Sequence, residues 1–266
     1  MEHDEAEEGQ APRRGDRRGR GRPESVVGPH HPHLSVAAVT GASSGIGAEL
    51  VRALKQRGVH VVGLSRSPSE ADEHEECDVG DRDAVYAAAE RVLARHPRLD
   101  LLVCNAGVGA RGSFLTAELE RIEQVIRVNY LGSVWTALAF LPGLGDGSHL
   151  VNVVSVAGLV ADGPYSASKF AQLAFSRSLA VELAPRGIKV HTVNPGFVET
   201  PGFPQRVKLP WWFNRFIATP DFVAARILEA VDKDKREIVV PRWYRPAAWL
   251  ALAPGLLTNV RARTSR

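Results

Sequence analysis

The sequence predicts an α/β fold in which one parallel sheet is covered by helices on both faces. Short apolar runs alternate with stretches of helical spacing along most of the chain, and this order calls for crossover connections between parallel strands. The apolar runs are continuous, as in Leu101-Leu102-Val103, which fits strands buried on two sides. A glycine-rich turn separates the first strand from the first helix, the mark of a Rossmann-type doubly wound parallel sheet in a single domain.

The elements follow in order. Ser35 to Val39 is an apolar strand that runs into the turn, and Ile46, Leu50, Val51 and Leu54 then recur at helical spacing between Ile46 and Gln56. His60 to Leu64 is a second strand, and the polar stretch from Ser65 to Glu75 reads as a loop. Ala84 to Arg95 is helical, Leu99 to Cys104 a buried strand, and one long helix is expected from Glu118 to Leu141. His149 to Val154 is strand-like, Tyr165 to Leu183 helical, and Ile188 to Val193 a strand. Phe222 to Val231 is a helix and Glu237 to Val240 a last short strand. Right-handed crossovers bring the strand C-termini to one edge, where such folds bind ligands.

The ordered domain is expected over residues 34–242, and 266 residues with 44% hydrophobic content suffice for one full core. Residues 1–33 read as a disordered charged tail. Glu2, Asp4, Glu5, Glu7 and Glu8 precede a basic run from Arg13 to Arg22, and little in it can be buried. A solvated segment is the expectation there, with no nucleic-acid partner. His30, His31 and His33 cluster in the same tail, and no metal site is read from them. Residues 243–266 form an apolar and basic extension. Its run from Pro246 to Leu257 is too short to span a bilayer, and either packs on a subunit or makes peripheral membrane contact. The N-terminus has no apolar run, and Cys77 and Cys104 cannot build a disulfide framework, so a cytoplasmic setting is expected.

The turn reads Thr40-Gly41-Ala42-Ser43-Ser44-Gly45-Ile46-Gly47. Gly41 allows the tight bend, Gly45 lets backbone approach a pyrophosphate, and Gly47 lets helix pack on sheet, while the helix N-terminal amides favour an anion. At the end of the second strand stands Ser65-Arg66, where enzymes that prefer NAD usually carry an acid. A guanidinium there suits a ribose 2′-phosphate, so NADP(H) is expected over NAD(H). Tyr165 and Lys169 lie four apart, on one helix face. A lysine cation beside a phenol favours phenolate and draws its pKa down from about 10 toward neutrality. Ser155 ends the preceding strand, where its hydroxyl can hold a substrate oxygen.

With these residues in this order, the chain resembles the short-chain dehydrogenase/reductase family over roughly Leu34 to Val240. Thr40 to Gly47 is similar to the family's cofactor turn, including Ser43, Ser44 and Ile46. Cys104-Asn105-Ala106-Gly107 is similar to its Asn-Asn-Ala-Gly segment, with cysteine in place of the first asparagine. The resemblance implies a tetrad of Asn129, Ser155, Tyr165 and Lys169. Asn129 would position a water linking Lys169 to solvent. It also implies that Asp78 and Val79 sit near the adenine, and that Pro195, Gly196, Val198 and Thr200 line the nicotinamide. The Ser155-to-Tyr165 interval is shorter than the family's commonest spacing, which alters the loop beside the substrate.

The expected function is therefore an NADP(H)-dependent oxidoreductase interconverting a carbonyl and an alcohol, in a homodimer or homotetramer. Phe203, Trp211, Trp212, Phe213 and Phe216 follow the last nicotinamide residue, and either bind a lipophilic small molecule or pack on the sheet or a partner. A 3-oxoacyl thioester reductase is the alternative within enzymes, and a non-catalytic NADP(H) sensor or scaffold the alternative outside them.

Overall fold

In the computed structural model, residues 33–110, 112–160, 162–205 and 211–246 are described. What the sequence leads one to expect of residues 1–32, 206–210 and 247–266 lies outside them. Seven strands form one wholly parallel sheet: β1 (Val36–Thr40), β2 (His60–Ser65), β3 (Glu73–Glu76), β4 (Leu101–Cys104), β5 (His149–Val153), β6 (Lys189–Pro195) and β7 (Glu237–Val240). Their spatial order is β3-β2-β1-β4-β5-β6-β7, so the winding direction reverses between β1 and β4. A crevice opens at the strand C-termini beside such a reversal.

The continuous apolar strands are explained by two cores. On one face Val39, Val61, Val103, Val151 and Val193 pack against α1 (Gly45–Gln56) and α6 (Pro220–Asp232), through Leu50, Leu54, Ile227 and Leu228. On the other, Ala38, Val62, Leu102 and Leu150 meet α2 (Arg82–Arg95), α4 (Gly132–Phe140) and α5 (Gly163–Glu182), through Val85, Val92, Phe140 and Leu179. Helix α2 starts where Asp81 accepts the amides of Asp83 and Ala84, an N-cap that satisfies two of its orphan donors.

Two expectations need correction. The stretch from Ser65 to Glu75 is not all loop, because Glu73–Glu76 forms β3 in register with Val62 to Ser65. It carries no apolar pattern because it is an edge strand, and charge there discourages pairing with other chains. Its acids are answered by bases: Glu73 accepts from Arg95, His60 and His96, and Glu75 from Arg91 and Arg95. Those partners hold the Glu73 carboxyl down at about 2. The long helix expected from Glu118 to Leu141 is also interrupted. α3 (Leu119–Ile126) passes into a π-helical turn, Arg127–Leu131, before α4 resumes. Such turns are often found at functional sites, and this one contains Asn129.

On β5 and β6, His149 and His191 are buried and stacked with ring centroids 5.1 Å apart. His191 Nδ1 lies 2.9 Å from the Lys235 carbonyl, which can only accept, so His191 donates there. Its Nε2 therefore accepts from His149 Nδ1 at 2.8 Å, and both rings are neutral. Burial, then the neighbouring His191, pushes His149 down to about 4. Above an ordinary histidine pKa of about 6.5 neither state binds this proton. Below it the unfolded chain takes up a proton that the folded chain refuses, so stability falls as pH drops toward 4. Urea unfolding should show a loss of roughly 2 kcal/mol from this ring between pH 7 and pH 5. In a His149→Leu/His191→Leu chain the same profile should be flatter, whatever its plateau.

Candidate active site

The turn from β1 into α1 is held by backbone meeting backbone. Gly41 and Gly45 have φ of +66° and +57°, the left-handed region that glycine adopts without strain. A Cβ on Gly47 would stand 2.1 Å from the Gly41 carbonyl oxygen, so that position admits no side chain. Thr40 Oγ1 accepts the amides of Asn105 and Ala106, and Asn105 Nδ2 donates to the Thr40 carbonyl. The segment after β4 is thereby locked to the turn. Gly41 N–H donates to the Leu64 carbonyl, tying the turn to the end of β2 as well. Ser44, the N-cap of α1, makes no side-chain cap bond, and the first turn holds no acid. Its leading amides are thus presented to an anion.

At the end of β2 the Ser65 hydroxyl is turned inward and donates to the Ser67 carbonyl at 2.7 Å. Arg66 projects outward with its side chain 68% exposed, 4.0 Å from the Asp78 carboxylate. Asp78 Oδ1 accepts the Gly80 amide, and Val79 packs against Gly132 at the start of α4. Arg66 and Asp78, read separately from the sequence, therefore flank one corner of the cleft.

The other corner holds the remaining predicted residues. Ser155 follows β5, accepts the Ala157 amide at 3.0 Å and shares a hydrogen bond with the Tyr165 phenol. α5 begins two residues before Tyr165, with Pro164 in its first turn, and Ser166 donates to the Ala157 carbonyl at 2.5 Å. The short loop between Ser155 and Tyr165 is closed by that contact. Lys169 Nζ lies 5.9 Å from the Tyr165 ring centroid.

The expected lowering of the tyrosine pKa is not seen in the folded chain. Burial pushes Tyr165 up to about 12 against the opposing bond from Ser155, and burial pushes Lys169 down to about 7. The physical reason is that the ammonium stands over the ring face and spends its hydrogen bonds elsewhere. It donates to the Val153 carbonyl at 3.2 Å and to Gln172 Oε1 at 2.7 Å.

Asn129 is fully buried, and its side chain clamps Val108 by accepting its amide and donating to its carbonyl, with a third bond to Ser168 Oγ. Its main-chain carbonyl accepts from Ser133 Oγ at 3.0 Å, and Ser133 Oγ accepts from Gln172 Nε2 at 2.7 Å. Gln172 and Ser133 were not legible as site residues. The available signal was that Gln172 stands three places after Lys169, on its helix face.

Above the cleft, the Phe203 ring lies 5.7 Å from the Tyr165 ring and rests on Gly109, while Trp211 and Trp212 are exposed. Val198 pairs with Ala218, and Thr200 accepts from the Phe203 amide and sits against Gly45 across the cleft. Gly196, after Pro195, is covered by the Tyr244 ring, whose hydroxyl donates to the Phe216 carbonyl at 3.1 Å. Gly107 approaches Asn129 Oδ1 so closely that a Cβ would stand 3.2 Å from it. Uncapped helix amides beside the exposed Ser43 and Ser44 fit the phosphates of a nicotinamide dinucleotide. Both cysteines are buried, with thiols pushed up to about 11 and 12, so neither is a nucleophile at neutral pH.

A family model described as short chain dehydrogenase matches residues 35–208. Over 185 residues the chain is 33% identical to an oxidoreductase of Staphylococcus saprophyticus, covering 62% of this chain and 79% of that protein. It is 35% identical over 173 residues to a 3-ketodihydrosphingosine reductase of Bacteroides thetaiotaomicron, covering 62% of this chain and 64% of that protein. A short-chain dehydrogenase of Burkholderia cenocepacia, solved in complex with NADP, superposes with a TM-score of 0.71 at 28% identity, covering 78% of this chain and 96% of that one.

Replacing Gly47 by alanine should force the turn and Asn105 apart, because the clash is with backbone. We expect a loss of about 3 kcal/mol or more in urea unfolding, at or above the usual range for overpacking, and at least a tenfold weaker nucleotide affinity in a fluorescence titration.

Proposed function

The chain belongs to the short-chain dehydrogenase family, and from that premise we propose that it is an NADP(H)-dependent oxidoreductase that interconverts a lipophilic carbonyl compound and its alcohol. The observation that carries this reading is the convergence of Ser155 and Lys169 on Tyr165 at the sheet edge that also holds the glycine turn.

Nicotinamide, when bound, supplies or accepts the hydride at the substrate carbon. The chain's own groups manage the oxygen and its proton. Ser155 offers its hydroxyl to the substrate oxygen, where charge develops. Tyr165, with its phenol pushed up to about 12, is fully protonated at neutral pH and suited to give a proton to an alkoxide. In the reverse direction it must lose that proton, and a charged Lys169 beside it lowers the cost. Asn129 keeps the Val108 backbone against the cleft, and Gly107 leaves the approach to Lys169 open.

Arg66 supports NADP(H) over NAD(H), because an exposed guanidinium at the end of β2 pairs with a 2′-phosphate and no carboxylate stands at Ser65-Arg66-Ser67 to take a ribose hydroxyl. Glu75 and Glu76 of β3 do lie alongside, and Glu75 is already bound to Arg91 and Arg95. The aromatic cover of Phe203, with Trp211 and Trp212 exposed beyond it, supports a lipophilic substrate. Similarity to a 3-ketodihydrosphingosine reductase is in keeping with a ketone. No helix among the described residues is long and apolar enough to cross a membrane. Exposed Leu138 on α4 with Phe170 and Val181 on α5 gives those helices an apolar surface in keeping with a homo-oligomer.

Side-by-side fluorescence titrations should give tighter binding of NADPH than NADH, and Arg66→Ala should remove about a tenfold or larger part of that preference. Equal affinities in the native chain would overturn the cofactor choice. Tyr165→Phe should bind NADPH as the native chain does while kcat on a panel of lipophilic ketones falls by at least about a thousandfold, within the range for a lost general acid. Retained turnover in that variant would remove Tyr165 from its role.

A further inference from the structure

Lys169 is 4% exposed, and a buried ammonium has three N–H bonds to place and no acceptor of its own. Two carbonyl oxygens receive it, that of Val153 at 3.2 Å and that of the Gln172 side chain at 2.7 Å. Gln172 is itself fully buried, on the side of α5 that faces the π-helical turn and α4. Its orientation is fixed from both ends. An ammonium only donates, so the amide oxygen must face Lys169. The opposite end donates to Ser133 Oγ at 2.7 Å, and the Ser133 hydrogen is committed to the Asn129 carbonyl at 3.0 Å. The chain from Lys169 through Gln172 and Ser133 to Asn129 is thus a directed series of side-chain hydrogen bonds ending in the π-helical turn.

We propose that Gln172 is a positioning residue for Lys169, holding the lysine charged and fixed beside Tyr165, with Ser133 and the π-helical turn keeping the glutamine oxygen aimed at it. The inference rests on the oxidoreductase reading for its purpose, and its test does not depend on turnover. A buried acceptor favours the ammonium over the neutral amine, which opposes the desolvation that favours the amine. The surroundings supply little else. From α5 the phenol of Tyr165 faces the lysine, from β5 the Val153 carbonyl, and from the segment after β4 the backbone of Gly107, whose added Cβ would lie 3.8 Å from Nζ. Asn129 and Ser133 on the opposing helix are neutral, and among the described residues no carboxylate forms an ion pair with Lys169.

The chain has six lysines, so 13C labelling at lysine Cε gives a readable NMR titration of the full-length protein. The Lys169 signal is assigned by its loss in Lys169→Arg. Gln172→Met keeps the volume and removes the acceptor, and its Lys169 midpoint should fall by about one pH unit. Gln172→Glu replaces the neutral acceptor by a charged one, and the midpoint should rise by about one unit or more. Ser133→Ala frees the amide and should lower the midpoint by less than Gln172→Met does. The fall in Gln172→Met and the smaller one in Ser133→Ala are not produced by a glutamine that merely fills space, and the rise in Gln172→Glu shows that position 172 reaches the ammonium. Midpoints that stay within about 0.2 units of the native value in the variants that fold overturn the proposal; should Gln172→Met fail to fold, Gln172→Glu and Ser133→Ala decide it.

The pH profile of ketone reduction then separates the two readings. A moved Lys169 midpoint with no turnover on any carbonyl leaves the positioning role standing and removes the oxidoreductase reading. Turnover with an unmoved midpoint does the reverse.

Discussion

Everything at the cleft depends on one contact, the approach of α1 to the Gly41 carbonyl. With no Cβ at Gly47, the helix begins close enough to the sheet for Asn105 to reach across and bond the carbonyl of Thr40. That bond holds the segment after β4, and the same segment carries Gly107 and Val108 to Asn129. The glycine turn and the π-helical turn are distant in sequence, yet they are joined through the end of β4. The glycine turn and the segment that Asn129 clamps therefore share one support.

Most of the architecture is legible in the sequence, because burial on two faces imposes an unbroken apolar signal on a strand. β4 and β7 illustrate the two grades of that signal: Leu101 to Cys104 is buried throughout, while β7 at the sheet edge is buried only at Val240 and was still bounded correctly by its β-branched residues. β3 escaped because an edge strand made of Glu73, His74, Glu75 and Glu76 owes its form to ladder bonds with β2 and to bases on α2, both contributed from elsewhere in the chain. The π-helical turn escaped for a related reason. Nothing in Arg127 to Leu131 breaks helical spacing, and the extra residue is accommodated by bonds that Asn129 makes to Val108 and Ser133.

At the site, the motif residues were legible because their chemistry is local: a glycine that must bend, a tyrosine and lysine on one face. The proton affinities were not. Phenol beside ammonium suggests mutual stabilisation when written as a sequence, whereas in the fold the cost of desolvating charge governs each of them. What moderates that cost is a glutamine whose far end is held from another helix, and no spacing rule connects Gln172 with Ser133.

The Tyr244 ring over Gly196 has a consequence for how this chain can vary. A glycine roofed by an aromatic at contact distance leaves no room for a side chain, and the same aromatic is pinned by its hydroxyl to Phe216, beyond the loop that carries Phe203. The floor of the cleft, its aromatic cover and the segment that follows β7 thus form one mechanical unit, fastened by a single phenol. A change of length just after Val240 would be transmitted into the cleft as directly as a change within it. The first turn of that segment is part of the cleft wall, and its geometry is tied to that of the glycine.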